Sequence, residues 1–364
     1  MLVYVLFFIF LVLGGLLTRD RGRVFYLLIL CFFFFLIIGL RDRTVGVDTL
    51  SYIDDYKSSS LLDYNGLIKE LETSVEPLYT LITWLASRIS SSYIGYLMIW
   101  ALFPAIAIFL LLRRESNKSV DVVFAFISVF LLGLYSFFVA GIRQTAAISV
   151  VILSLKYLKY VHIRDIFHFY KDSNFIKFLI CIAIAYALHN SAIIFFLIYF
   201  LKDIKVRWFY LFIPIGLYFI SNTIQIEQIT IFANFLFQDR FVQYGSDYYE
   251  SSVNVSAFIM QSIIFLICFL KKKDLIEQDV SNTMLFNMAV LGLVFQSMSG
   301  MIAEMFRISF YFSIAYIILL PRALRIYANQ RLGNMTYLLF ALGAFVYLFF
   351  LSSSNLPDYK SVLF

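Results

Sequence analysis

Six arginines stand apart from the other basic residues of this 364-residue chain: Arg41, Arg43, Arg88, Arg143, Arg240 and Arg307. Guanidinium is always charged and presents a planar fork that matches phosphate oxygens. Ionisable groups at membrane depth are costly and tend to be functional. Five of the six also have a plainer reading. Arg41 and Arg43 follow an apolar run directly, where long basic side chains snorkel to water. Arg143 sits in Gly141-Ile142-Arg143-Gln144, where an ion pair between helices would occupy it. Arg307 lies three residues after Glu304 and would share a helix face with it. Arg240 follows Asp239, a local loop pair.

His189 interrupts a long apolar run, in Leu188-His189-Asn190-Ser191. A neutral imidazole there is a general base or a hydrogen-bond donor to phosphate, and a packing role is the alternative. Asp48 and Tyr52 would share a face if their segment is helical, which makes Asp48 a second candidate base. Glu76 precedes Pro77 at a helix start, where a carboxylate stabilises the N-terminal end of the helix dipole. Tyr52, Tyr56, Tyr64, Tyr244, Tyr248 and Tyr249 would form an interfacial belt or stack on sugar rings. The sequence has no GxxxxGKS/T or GxGxxG loop for nucleotide phosphates, no HExxH and no GxSxG. With three histidines and scattered cysteines, no zinc spacing appears, so neither metal nor cofactor is expected.

The elements that must carry these groups are apolar. The chain is 62% hydrophobic, 19% aromatic and 14% charged, with a mean hydropathy of +0.87. A soluble globular protein carries about a quarter charged residues, so the whole chain, 1–364, reads as one polytopic, all-α transmembrane domain. Apolar runs at 2–17, 24–40, 93–112, 120–139, 143–160, 253–270, 282–301, 304–320 and 335–351 approach the roughly 20 residues that a span needs. The run 175–201 breaks at His189-Asn190, and 208–220 is short and aromatic. Met1 to Leu17 lacks the basic n-region and cleavage site of a signal peptide. Cys31, Cys181 and Cys268 all lie in apolar runs, so no disulfide is expected.

Charge sets the orientation, because short cytoplasmic loops are enriched in Lys and Arg. Six clusters read as cytoplasmic: Arg19/Arg21/Arg23, Arg113/Arg114/Lys118, Lys156 to Lys177, Lys202/Lys205/Arg207, Lys271/Lys272/Lys273 and Arg322/Arg325/Arg331. Clusters in that position argue against nucleic acid as a partner and for the lipid bilayer. All six fall on one side if both termini face out, 77–90 is a re-entrant or interfacial helix and 175–201 splits at His189. That topology has about 12 helices. It leaves 41–76 and 221–252, rich in Tyr and acids, as extracytoplasmic loops.

The ordered set of motifs resembles the EpsG family, which belongs with the Wzy-type polysaccharide polymerases. The matching stretches are Gly39-Leu40-Arg41-Asp42, Val45-Gly46-Val47-Asp48-Thr49 with Tyr52, and Glu76-Pro77-Leu78-Tyr79. Further on come Gly141-Ile142-Arg143-Gln144, Ala187-Leu188-His189-Asn190-Ser191-Ala192 and Arg307-Ile308-Ser309 with Tyr311-Phe312. The resemblance implies transfer of a glycan from undecaprenyl pyrophosphate to a new lipid-linked repeat unit, at the outer face of the cytoplasmic (inner) membrane. The product would be O-antigen, capsule or exopolysaccharide, and a chain-length regulator protein would be a further partner. On that reading Arg41, Arg43, Arg143, Arg240 and Arg307 hold the pyrophosphate. His189, Arg143, Arg307 and Asp48 are the catalytic candidates, and Tyr52, Tyr244, Tyr248 and Tyr249 meet the sugars. The competing class is a lipid-linked oligosaccharide flippase, and another membrane glycosyltransferase or glycan modifier is a further alternative. Transporters often show internal repeats and midplane sites; this chain shows no repeat and gathers its polar residues on one side.

Overall fold

The computed structural model describes residues 1–161, 172–223, 255–300, 305–330, 333–352 and 356–362. Every element among them is helical, apart from one isolated antiparallel bridge between Arg41 and Ser361. The chain forms two compact units, Met1–Phe200 with Leu320–Phe364, and Leu201–Leu319.

In the first unit α1 (Leu2–Leu17) and α2 (Arg23–Gly39) expose Leu6, Leu13, Phe25, Leu28 and Phe32, an apolar outer surface suited to lipid. Two polar helices follow, α3 (Thr49–Leu61) and α4 (Tyr64–Thr73), then α5 (Pro77–Ile89) and the long α6 (Tyr93–Glu115). Next come α7 (Ser119–Leu131), α8 (Leu134–Ala140), α9 (Ile142–Leu158) and α10 (Ser173–Leu188). The interior is built by α6 on α2 and α9, and by α9 on α10. Small residues at these faces, Ala101, Ala105, Ala146 and Ala147, are all buried and let the backbones approach. Nearly all of α7 is buried, as its all-round apolar sequence demands.

The segment 41–76 is therefore not an irregular loop. Tyr52, Ile53, Tyr56 and Ser59 form a buried stripe on α3, while Asp54, Asp55 and Lys57 stay exposed. Asp63 caps α4 by accepting from the Gly66 N–H at 2.7 Å. The 13 residues of α5 reach only about 20 Å, short of the roughly 30 Å hydrocarbon core. By length and composition it is not among the described helices able to cross a membrane.

The span count differs from the expected twelve. By length and composition, the described residues contain three helices able to cross a membrane, or up to six if bent pairs count as single spans. The run 120–139 breaks between α7 and α8 with a 61° bend, and 304–320 breaks between Ser313 and Tyr316 with a 51° bend. The first break has a backbone cause. Gly133 adopts φ +71, a left-handed conformation that glycine takes without steric cost. Leu2–Leu17, Ser173–Leu188 and Met335–Leu351 are apolar but short.

Three basic clusters do meet at one end of the first unit. Arg322 pairs with Glu115 at 2.7 Å and Arg325 with Asp121 at 2.8 Å, while Asp20 accepts from the Ser119 N–H at 3.1 Å. Since α2 starts at this end and α6 finishes here, Arg41 and the start of α9 belong to the opposite end.

The second unit packs Ile213–Thr223, Val255–Phe269 and Met305–Ser313 against Asn282–Ser297. Its helices are joined by buried polar contacts, Gln261 to Ser313 at 2.8 Å and Ser309 to Gln296 at 3.2 Å.

Candidate functional site

Three distant stretches of the first unit converge on one carboxylate. Glu76 stands just before Pro77, the first residue of α5, yet its side chain does not cap that helix. One oxygen, Oε2, accepts from Arg143 Nη1 at 2.8 Å; the other, Oε1, is paired with His189 Nδ1 at 2.5 Å. The backbone N–H of Asn190 also donates to this carboxylate. Burial alone would push the Glu76 carboxyl up. The His189 hydrogen bond and charge, Arg143 and the Asn190 N–H outweigh it and hold the group below its ordinary 4.5.

Each partner is placed by a local irregularity. Arg143 is the second residue of α9, entered through Gly141. A cation is unfavourable at a helix N-terminus, and Glu76 supplies the compensation. Its guanidinium lies over the rings of Tyr79 at 5.2 Å and Tyr52 at 5.5 Å. The side chain is still 39% exposed, so the ion pair does not enclose it. His189 is the extended residue between α10 and the 3-10 helix Asn190–Phe196. Ionised Glu76 can only accept, so Nδ1 carries the hydrogen of this bond, and no described hydrogen bond reaches Nε2. A carboxylate oriented on one ring nitrogen with the other open is the arrangement that makes histidine a directed general base.

Aromatic side chains wall the cluster. The Tyr79 hydroxyl donates to Asp55 Oδ2 at 2.8 Å and lies 3.3 Å from the Tyr96 hydroxyl. Tyr52 meets Tyr79 edge to face, and Tyr79 packs on Trp100. Tyr52 is buried here beneath Arg143 rather than standing free. Asp48 occupies the N-cap position of α3, one turn before Tyr52, and no described contact joins its side chain to Glu76, Arg143 or His189.

Arg41 corrects the snorkelling alternative: it is 0% exposed. Nη1 donates to the Ile38 carbonyl at 2.6 Å, and Nε and Nη2 have no hydrogen-bond partner. Burial lowers the guanidinium to about 10, and nearby tyrosines, Tyr135 and Tyr96 first, offset part of that cost. The C-terminal stretch covers it, through the Arg41–Ser361 bridge and the Asp42 N–H bond to the Lys360 carbonyl at 2.8 Å. Arg43 is exposed. Arg88 donates to the Leu62 carbonyl and lies over Trp84, stapling α5 to the joint of α3 and α4. Arg307 belongs to the second unit, half-buried, with its guanidinium over Phe306 at 5.8 Å. Glu304, Arg240, Tyr244, Tyr248, Tyr249, His162 and His168 lie outside the described residues, as does nearly all of the loop 221–252. Among the described residues no group of three or more His, Cys, Asp or Glu is arranged to hold a metal ion.

The sequence pointed to Glu76 as a helix-end charge and to neither Asp55 nor Tyr96. The available signal was the Glu76-Pro77-Leu78-Tyr79 stretch within the family resemblance. Acidification tests the assignment. The stabilisation from a carboxyl with a depressed pKa is present above its unfolded value and lost as pH falls through the folded one. Melting of the detergent-solubilised chain should therefore drop below pH 4.5, and drop less in E76Q. Equal drops would show that Glu76 carries none of the acid lability.

The family model of the EpsG family matches residues 24–362, a range that contains every residue of this cluster. Neither a curated protein nor a solved structure matches the chain.

Proposed function

The chain belongs to the EpsG family of Wzy-like polysaccharide polymerases, and from that membership we propose that it joins lipid-linked oligosaccharide repeat units. The donor is an undecaprenyl-pyrophosphate-linked glycan and the acceptor is the sugar end of a second lipid-linked unit. The reaction takes place at the outer face of the cytoplasmic membrane. One observation carries this reading: Glu76 brings a partly exposed arginine and an oriented histidine together, at the end of the unit opposite its basic clusters.

The chemistry needs both. As the anomeric carbon's bond to the diphosphate oxygen breaks, the diphosphate leaves with the electron pair. A preorganised cation aimed at that developing charge lowers the barrier. Arg143 takes this role, with the exposed Arg43 of the same unit as a further proposed diphosphate ligand. The acceptor hydroxyl forms the new glycosidic bond and gives its proton to His189 Nε2. Asp48 is the second candidate base. Tyr52 and Tyr79 support Arg143 from below, while Tyr244, Tyr248 and Tyr249 are proposed to meet sugar rings.

A glycan gel of a strain lacking the protein tests the reading. The expected pattern is a lipid anchor carrying one repeat unit, with the ladder above it gone. Loss of that band as well, with lipid-linked units accumulating inside, would mean failed export and a flippase. With guanidinium groups opposite the diphosphate, EDTA should leave polymerisation by the purified chain unchanged. A loss restored by a divalent cation would overturn that part of the mechanism.

A further inference from the structure

Glu76 is the link between the two reactive partners, and the way it divides its two oxygens has a consequence for when the base acts. Oε2 holds Arg143 and Oε1 holds His189, so a single negative charge serves one full cation and one imidazole N–H. We propose that Glu76 is a positioning residue that couples donor binding to the strength of the base: a diphosphate that draws Arg143 toward itself hands the carboxylate's charge to His189. This rests on the polymerase reading above.

Glu76 and the donor diphosphate compete for one guanidinium. Without ligand, Arg143 neutralises Glu76. The guanidinium is not saturated, because Nε is buried with no hydrogen-bond partner and the side chain is 39% exposed. A glycosyl diphosphate ester brings one negative charge on each phosphate and offers oxygens to both edges of the fork. As Arg143 turns to it, Glu76 loses its counter-charge while keeping the hydrogen bond to Nδ1. An unneutralised carboxylate beside an imidazole raises its affinity for a proton. Nε2 becomes the stronger base at the moment the donor is seated, and the acceptor hydroxyl is activated only then.

The surroundings leave Glu76 as the group that can do this. Among the described residues, the helices packed on α10 are α9, the 3-10 helix Asn190–Phe196, which carries no charged group, and α5. Glu76 and Tyr79 come from α5. Arg143 comes from the start of α9, and Lys156 lies toward its other end, near Cys181. Tyr186 sits on α10 itself, one turn earlier, and is exposed. Among the described residues of these elements Glu76 is the one acid at His189, with Asp55 of α3 reaching only the Tyr79 hydroxyl, and its side chain is only 12% exposed, so its field is weakly screened. Glu76 itself neither gains nor loses a proton: the acceptor's proton goes to Nε2 and afterwards to solvent.

The test follows His189 by NMR in the full chain in lipid nanodiscs. Histidine occurs three times in the sequence, and H189Q identifies its signal. The probe is undecaprenyl diphosphate without sugar, with binding read separately as a rise in melting temperature. In the parent protein the protonation midpoint should rise by about one pH unit, a tenfold gain in proton affinity. In E76Q the ligand should bind and move the midpoint far less. An equal rise in E76Q, or no rise in the parent with ligand bound, overturns the coupling. Failure of the ligand to bind the parent overturns the diphosphate reading beneath it. Should E76Q not fold, R143Q tests the same link: the midpoint should already stand high without ligand, and an unraised midpoint there overturns the proposal.

Discussion

Replacing Arg143 by alanine is expected to abolish the polymer ladder while lipid-linked single units remain. Removing one preorganised donor from a developing oxyanion costs about a hundredfold to a thousandfold in rate, enough to take a polymer below detection. The substitution also strips Glu76 of its cation, so R143K is the informative companion. Lysine restores a charge to Glu76 but lacks the planar fork that spans two phosphate oxygens. R143K should therefore reach the membrane at the parent level and still make markedly less polymer. Near-normal ladders in R143A would remove Arg143 from the leaving-group side of the mechanism.

A loss of similar size is expected for His189→Gln. General-base catalysis contributes about a hundredfold to ten-thousandfold. Glutamine is the right probe because its amide N–H can still donate to Glu76 Oε1, so the carboxylate keeps both partners. The joint between α10 and the 3-10 helix holds largely through backbone bonds, including the His189 N–H to the Ala185 carbonyl at 2.9 Å. The variant should thus match the parent in melting temperature and in affinity for undecaprenyl diphosphate, with turnover alone lost. Retained turnover in H189Q would pass the base role to Asp48.

Much of the architecture was open to a reader of the residues. Apolar runs long enough to be helices follow from composition, because a backbone in lipid must satisfy its own hydrogen bonds. The break at His189-Asn190 was legible for a similar reason: two polar residues in sequence interrupt an otherwise continuous apolar stretch. The gathering of three basic clusters at one end of the first unit was legible as charge asymmetry between loops, though not the pairing of Arg322 and Arg325 with Glu115 and Asp121 found there. So were Arg143 and His189 as residues out of place in their surroundings.

The breaks at Gly133 and between Ser313 and Tyr316 were not legible, because hydropathy is indifferent to backbone direction and the residues on both sides are apolar. Nor were α3, whose buried stripe includes Tyr52 and Tyr56 within an acidic segment, and α4, which buries only Leu67. The burial of Arg41 depends on chain from the far end of the sequence, Lys360 and Ser361, laid across it. Residue type and neighbours along the chain determine which groups are charged, which are apolar and which end of a helix they occupy. They do not determine which charges meet. Glu76 lies 67 residues from Arg143 and 113 from His189. Only the packing of α5, α9 and α10 brings the three within hydrogen-bonding distance, and that packing is decided by side-chain shape summed over whole helices rather than by any local pattern.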